Sequence, residues 1–241
     1  MIPIQVNRVR ALAIVALALA CAPANGTKQA AESNATTRRD TAVVAATAAA
    51  AAAAADPDGK KADLARIQGN PSAPVWVIEV SDFQCPYCKQ WHDQTYQQFR
   101  DEFVRTGKVR LAYINYPLSS HAHAWPAAES AMCAGAQGKF WEMHDALFAN
   151  QAKWEAMPAP APVFDSLARV TGVDVARWRQ CVQSGKMKAW IQADHDRAQA
   201  AGVNATPSFI IGETMLAGAQ PIENLRSAVD TALAKSKKPT P

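Results

Sequence analysis

The stretch that decides the fold is Val75-Trp76-Val77-Ile78-Glu79-Val80-Ser81-Asp82-Phe83-Gln84-Cys85-Pro86-Tyr87-Cys88. Residues 75–80 are mainly apolar and rich in β-branched side chains, which predicts a buried strand that leads into the two cysteines. Residues 89–106 predict a helix closed by a glycine, and residues 109–116 predict a second strand. The pattern indicates a β-α-β unit with Cys85 and Cys88 at the turn from strand to helix.

Two cysteines at the start of a helix are suited to redox chemistry. The unpaired N–H groups and the helix dipole stabilise a thiolate on Cys85 and lower its pKa. Pro86, at the first helical position, loses no hydrogen bond that the helix needs. The two-residue spacing lets the sulfurs close a small ring. We expect Cys85 to be the exposed nucleophile and Cys88 the more buried resolving partner.

Zinc binding is the main alternative for a single Cys-x-x-Cys pair, and a structural disulfide unrelated to catalysis is another. A structural zinc site needs four ligands, usually from a second pair at matching spacing. The sequence has no second pair, and His92 would bring the ligands only to three. The spacing therefore favours redox chemistry and predicts no metal site, with His92 interpreted as a surface or packing residue.

Cys133 and Cys181 fall on two different predicted helices. They are interpreted either as a structural disulfide or as two separate buried thiols. A disulfide closing a loop of this size would stabilise the fold by roughly 3–4 kcal/mol on the loop-entropy estimate. Neither cysteine has a partner at Cys-x-x-Cys spacing, so we predict no catalytic role for them.

The N-terminal residues 1–21 have the pattern of an export signal. Arg8 and Arg10 precede an apolar stretch at residues 11–20, which is too short to span a bilayer but suits a signal peptide. Residues 17–21 resemble a bacterial lipobox that would make Cys21 a lipidation site, although Ala18 stands where leucine is preferred. We expect an exported protein of the periplasm or cell envelope, either anchored through lipidated Cys21 or secreted without a lipid.

Overall composition excludes some other classes of function. The net charge of +4 is mild, and no basic stripe with interleaved aromatic residues is present. Nucleic-acid binding is therefore not predicted.

Four segments together resemble the DsbA-like family of the thioredoxin superfamily. They are the active-site strand 77–88, residues 116–118 with His121, residues 137–145, and the cis-proline loop 203–209. The resemblance covers about residues 67–234, most of the chain after the predicted signal. It implies an α/β thioredoxin-like fold with an inserted helical domain.

The resemblance also divides the chain. Segment 22–62 is low in complexity and rich in alanine, and it is interpreted as a tether. The first thioredoxin-like segment is expected at 63–120, the inserted helical domain at 121–201 and the second thioredoxin-like segment at 202–236. In this second segment, residues 208–212 and 214–218 predict two strands joined by a tight turn, and residues 221–234 a final helix.

The resemblance implies roles for further residues. Pro207, after Thr206, would be the cis-proline that faces the cysteines, and both would bind the substrate chain together with Pro86 and Tyr87. Glu79 would be a buried acid that accepts or relays a proton near Cys88. The alternative for Glu79 is a glutamate at the strand end that faces solvent or forms a salt bridge.

The implied reaction is thiol–disulfide exchange through a mixed disulfide, without a cofactor. We expect a monomeric oxidase that introduces disulfides into exported cysteine-containing proteins and is recharged by a membrane thiol oxidase or another redox partner. A periplasmic reductase or isomerase is the alternative within the same chemistry. A zinc-binding module and a non-catalytic thioredoxin-fold binding protein are the alternatives from other classes.

The remaining histidines receive lesser roles. His121 and His123 are interpreted mainly as loop-capping residues, and His144 and His195 as residues on helix surfaces.

Overall fold

The computed structural model describes residues 56–236 of the chain. The predicted signal peptide with Cys21, and all but the last few residues of the predicted tether, lie outside this range. None of the helices in the described region is both long and apolar enough to cross a membrane.

The described elements alternate between a mixed sheet and helices. In chain order they are α1 (Pro57–Ala65), β1 (Ile67–Gln68), β2 (Val75–Ser81), α2 (Pro86–Trp91), π1 (His92–Tyr96), α3 (Gln97–Phe99), π2 (Arg100–Val104), β3 (Val109–Asn115), α4 (Ala124–Gly135), α5 (Phe140–Ala149), α6 (Gln151–Trp154), α7 (Ala161–Val170), α8 (Val175–Ser184), α9 (Lys188–Ala200), β4 (Ser208–Ile211), β5 (Thr214–Ala217) and α10 (Ile222–Ser236).

The sheet places β2 at its centre. Its strand order is β1-β3-β2-β4-β5, with β2 and β3 parallel and the other neighbours antiparallel. The α2–π2 helical stretch connects β2 to β3, as the β-α-β pattern predicts. Helices α4 to α9 all come between β3 and β4, where the inserted helical domain was expected.

Helix α1 lies partly within the segment that was predicted to be a tether. Asp56 caps this helix by accepting a hydrogen bond from the Asp58 N–H at 3.1 Å, and Pro57 occupies its first turn. Ala62 is fully buried. A Cβ on Gly59 would lie 2.0 Å from Trp190 Nε1, so the helix packs closely against α9. The folded region therefore begins near residue 57, and the predicted boundary between 62 and 63 is wrong.

The predicted helix at 89–106 is present but not uniform. Two π-helical turns, π1 and π2, interrupt the α-helical hydrogen bonding. Sequence periodicity does not register such turns, because each shifts the helical phase by only about one residue.

A buried ion-pair network fixes the insert to the sheet. Arg66 is fully buried and pairs with both Asp63 and Asp194, and its guanidinium also donates to the Tyr113 carbonyl at 3.2 Å. Asp194 on α9 accepts a further hydrogen bond from the Asn115 side chain at 2.9 Å. These contacts connect the segment after α1 to β3 and α9.

A disulfide holds two helices of the insert together. The structure joins Cys133 on α4 to Cys181 on α8, with their Cα atoms 5.7 Å apart. This is one of the two arrangements that the sequence leaves open. The loop it closes spans 48 positions and includes α5, α6 and α7.

Candidate active site

The two cysteines lie where β2 gives way to α2. Cys85 has extended backbone geometry (φ −69°, ψ 125°) and caps α2, and Pro86 occupies the first turn. The Cys85 N–H donates to the Asp82 carbonyl at 3.1 Å, which closes a turn between strand and helix. This turn directs both sulfurs toward the start of the helix.

Cys85 is less exposed than the sequence suggests. Only 3% of the surface of Cys85 is accessible to solvent, so the prediction that this residue is exposed is wrong. The Thr206 carbonyl covers its sulfur at an Sγ–O distance of 3.4 Å, and Gln151 of the insert donates to the Cys85 carbonyl at 3.1 Å. Pro86 and Tyr87 are exposed beside it, Tyr87 to 61%.

The two thiols differ strongly in acidity. The pKa of Cys85 is lowered to about 6, first by the hydrogen bond from the Cys88 thiol and further by the Thr206 side chain and the backbone N–H groups of Tyr87 and Cys88, while burial opposes this change. The pKa of Cys88 is raised well above its usual value, because the side chain is fully buried and its proton is held toward Cys85. At neutral pH, Cys85 carries most of the negative charge and Cys88 keeps its proton.

The cis-proline loop faces this pair. The Thr206–Pro207 peptide bond is cis, and both residues are buried. The Gly218 N–H donates to the Pro207 carbonyl at 2.7 Å, which ties the loop to the end of β5. The structure thus brings Cys85, Thr206 and Pro207 together across 121 positions of sequence.

Glu79 is buried in the middle of the sheet. It pairs in register with Tyr113 on β3 and Phe209 on β4, so all three side chains lie on one face. Burial raises the pKa of Glu79 to about 8, and the Ser81 hydroxyl opposes this rise. The solvent-facing alternative is therefore wrong, because Glu79 has no accessible surface.

Ser81 was not recognised from the sequence. Ser81 follows Glu79 by two residues on β2, so the two side chains lie on the same face of the strand. The Ser81 hydroxyl lowers the pKa of both Glu79 and Cys88. The Ser81 hydroxyl and both carboxyl oxygens of Glu79 are buried without a hydrogen-bond partner. The position of Ser81 two residues after Glu79 on a predicted strand was a usable signal.

Asp82 and His121 form a second feature that sequence reasoning missed. The buried Asp82 carboxylate accepts hydrogen bonds from the Gln84 N–H at 2.7 Å and the Leu118 N–H at 2.9 Å, and its Oδ2 lies 2.7 Å from His121 Nδ1. The Asp82 N–H in turn donates to Cys88 Sγ at 3.5 Å. The carboxylate therefore holds the backbone that contacts the buried thiol. No short-range pattern links residues 82 and 121.

The interpretation of His144 needs correction, whereas His92 is half-buried and packs against Tyr96 and Phe148, in keeping with its interpretation. His144 is fully buried among aromatic rings rather than on a helix surface, because α5 is covered on this side by π1 and the sheet. His92 faces His144 and Asp145. Within residues 56–236, it does not form a ligand group with Cys85 and Cys88 as the zinc alternative required.

A family model described as Thioredoxin matches residues 61–231. The chain is 34% identical over 176 residues to the Na(+)/H(+) antiporter NhaA 1 of Salinispora arenicola, a match covering 73% of this chain and 26% of that protein. It therefore spans about a quarter of the length of that relative. It is 29% identical over 171 residues to the probable disulfide bond formation protein D of Bacillus cereus, covering 69% and 78% of the two chains.

Solved structures agree with the predicted fold. BdbD from Bacillus subtilis superposes with a TM-score of 0.64 at 20% identity, covering 70% of this chain and 92% of its own. A thioredoxin-like oxidoreductase from Silicibacter pomeroyi has a TM-score of 0.57 at 28% identity, covering 69% and 90%. The prediction of a thioredoxin-like fold with a helical insert is confirmed.

The hydrogen bond from Cys88 predicts how the reactivity of Cys85 depends on pH. In the reduced protein, the rate of Cys85 alkylation should rise with pH through a midpoint near 6, because the thiolate is the reactive form. Cys88→Ala should move this midpoint toward the ordinary thiol pKa of about 8.5, whereas Cys88→Ser keeps a donor and should move it less. Peptide mass spectrometry would report on Cys85 alone. An unchanged midpoint in Cys88→Ala would contradict the assignment.

Proposed function

We propose, from the premise that this chain belongs to the thioredoxin family, that it is a protein thiol–disulfide oxidoreductase that introduces disulfides into exported proteins. The observation that carries the proposal is the pairing of an acidic Cys85 with a buried, protonated Cys88 beneath the Thr206 carbonyl. The similarity to a probable disulfide bond formation protein supports the same reaction class.

The reaction starts from the oxidised pair. A substrate thiolate attacks Cys85 Sγ, the Cys85–Cys88 bond breaks, and Cys88 leaves as a thiolate that takes up a proton. A second substrate thiolate then attacks the substrate sulfur of the mixed disulfide, and Cys85 leaves as a thiolate. The substrate gains one disulfide and the enzyme gains two electrons. A membrane thiol oxidase or another oxidant must then remove these electrons.

The contrast between the two thiols explains why Cys85 carries the mixed disulfide. Cys85 is the better leaving group in the second step, because a sulfur with a lower pKa departs more readily. Cys88 is fully enclosed, so a substrate sulfur has no path to it.

Glu79 is proposed to supply the proton that Cys88 needs. With a pKa of about 8, this carboxyl is mainly protonated at neutral pH. The Ser81 hydroxyl lowers the pKa of both Glu79 and Cys88 and has no other hydrogen-bond partner, so we propose that the proton passes through it. The proton therefore moves from the Glu79 carboxyl to the Cys88 sulfur as the disulfide opens.

The substrate chain is proposed to lie over Cys85. Pro86 and Tyr87 offer an exposed apolar surface on one side of the sulfur, and Thr206 and Pro207 lie on the other. Contacts of this kind do not select a particular side chain of the substrate, which suits an enzyme that acts on many unfolded proteins.

We propose the oxidase direction because the Cys85 thiolate is stabilised in the reduced enzyme. A thiolate stabilised in the reduced state makes the reduced enzyme the more stable form, so the disulfide is more readily given away. A reductase or isomerase would need a weaker preference for the reduced form.

Export and lipid attachment at Cys21 remain predictions from the sequence. The disulfide between Cys133 and Cys181 supports an oxidising compartment, since such bonds are rare where thiols are kept reduced. We propose that this second pair is structural and that the protein works as a monomer.

Peptide oxidation tests the proposal directly. The oxidised full chain, mixed with a reduced peptide that carries two cysteines, should form one peptide disulfide per chain in a single turnover. Cys85→Ser and Cys88→Ser should abolish this product. The double variant Cys133→Ser/Cys181→Ser is the matched control and should retain it. Activity that survives Cys85→Ser, or that requires Cys133 and Cys181, would contradict the assignment.

Replacing Glu79 tests the proton step. Glu79→Gln should slow mixed-disulfide formation at pH 7 by about 10-fold or more, because Cys88 then leaves without its proton donor. In the unmodified chain, the rate corrected for the thiolate fraction of the substrate should fall as the pH rises through about 8, where Glu79 loses its proton. The variant should lack this fall.

Glu129→Gln is the matched control for that experiment. Glu129 also has a raised pKa through burial, but it lies on α4 beside Lys188. Its replacement should leave the rate and its pH dependence unchanged. Equal slowing in the two variants would show that Glu79 has no specific role in the reaction.

A further inference from the structure

Three potential metal ligands meet at the boundary between the thioredoxin-like segments and the insert. His92 lies on π1, whereas His144 and Asp145 lie on α5. One ligand atom from each residue lies within 4.8 Å of the other two. We propose that this cluster, His92–His144–Asp145, binds a divalent transition metal ion of the zinc type.

Asp145 is the centre of the cluster. Its Oδ1 atom lies 2.8 Å from His144 Nδ1 and 3.4 Å from His92 Nε2. Small rotations of the three side chains would open this hydrogen-bonded arrangement to the roughly 2 Å ligand distances of zinc.

A neighbouring carboxylate orients His92. Its other ring nitrogen, Nδ1, lies 3.1 Å from Asp93 Oδ1, which leaves Nε2 directed toward Asp145. Metal-binding histidines usually have such a carboxylate on the nitrogen that does not bind the metal, because it fixes the tautomer and the ring orientation.

The cluster is held rigidly on one side and open on the other. The His144 ring is fully buried and packs against Tyr96, Tyr113 and Trp141, with centroids 4.9–5.3 Å apart. The Asp145 side chain is 43% exposed. An ion can therefore enter from solvent and keep water as a fourth ligand, as open three-ligand zinc sites do.

The donor set selects the ion. Two imidazoles with one carboxylate favour zinc, nickel, cobalt or copper, whereas magnesium and calcium prefer oxygen ligands. Two cations lie close by: Arg100 Nη1 is 4.0 Å from Asp145 Oδ2, and Lys89 pairs with Asp93 Oδ2 at 2.7 Å. Both weaken the attraction for a metal ion, so we expect moderate rather than very tight binding.

A bound ion would join two regions of the fold. The π1 segment continues directly from α2, the helix that Cys85 caps, and α5 belongs to the insert. Metal binding would therefore fasten the insert to the active-site helix. The site is separate from Cys85 and Cys88, and the proposal stands independently of the proposed oxidoreductase activity.

Zinc titration of the oxidised full chain tests the proposal. Cys85 and Cys88 are first joined as a disulfide and any other thiol is alkylated, so that no thiolate competes for the metal. Calorimetry should show one Zn²⁺ per chain, and zinc should raise the thermal unfolding temperature. His92→Gln and Asp145→Asn should abolish both effects. Asp93→Asn should weaken binding by about 10-fold or more, as is typical for loss of an orienting carboxylate.

His195→Gln is the matched control, because His195 also lies beside an aspartate, Asp196, but outside the cluster. It should bind zinc like the unmodified chain. Circular dichroism establishes that each variant is folded, and His92 and Asp145 are used because both are accessible, unlike His144. Absence of zinc binding, or binding that His92→Gln and Asp145→Asn leave intact, would overturn the proposal.

Discussion

The hydrogen bond from the buried Cys88 thiol to Cys85 is the interaction on which the site depends. It stabilises the Cys85 thiolate and keeps the proton on Cys88, so two identical side chains acquire opposite roles. The surrounding structure maintains this difference. Asp82 anchors the turn and presents its N–H to Cys88, while the Thr206 carbonyl covers Cys85 from the cis-proline loop.

The inserted helical domain also helps to position the backbone around Cys85. Gln151 of α6 donates to the carbonyls of Phe83 at 2.7 Å and Cys85 at 3.1 Å, so the insert holds the backbone that leads into the cysteines. The Arg66–Asp194 ion pair fixes α9 to the sheet, and the Cys133–Cys181 disulfide fixes α4 to α8. Arg66 also pairs with Asp63, and Asp194 also pairs with Arg197, so the attachment of α9 is shared among several buried contacts. The geometry at Cys85 thus depends on contacts far away in the sequence.

Local patterns in the sequence were sufficient for the β-α-β unit and the helices of the insert, because periodicity, glycines and the Cys-x-x-Cys spacing are short-range signals, whereas the cis-proline loop was expected from the family resemblance. They could not identify the link between Asp82 and His121, the burial of His144 or the cover over Cys85, since each arises from tertiary contacts. Helix α1 was missed because the proline and aspartates at residues 56–58 suit a turn as well as a helix start. The metal-type cluster was missed for a related reason, since His92 and His144 meet only when π1 packs on α5.

The reduction potential of the Cys85–Cys88 pair tests the central claim, that stabilisation of the Cys85 thiolate makes this protein a donor of disulfides. It is obtained by equilibrating the full chain in glutathione buffers and trapping the thiols at each ratio. Stabilisation of the Cys85 thiolate favours the reduced pair and raises the potential, by about 30 mV for each tenfold preference. The expected result is a potential above about −180 mV, in the range of disulfide-donating enzymes. A potential near or below about −250 mV would contradict the oxidase direction and indicate a reductase.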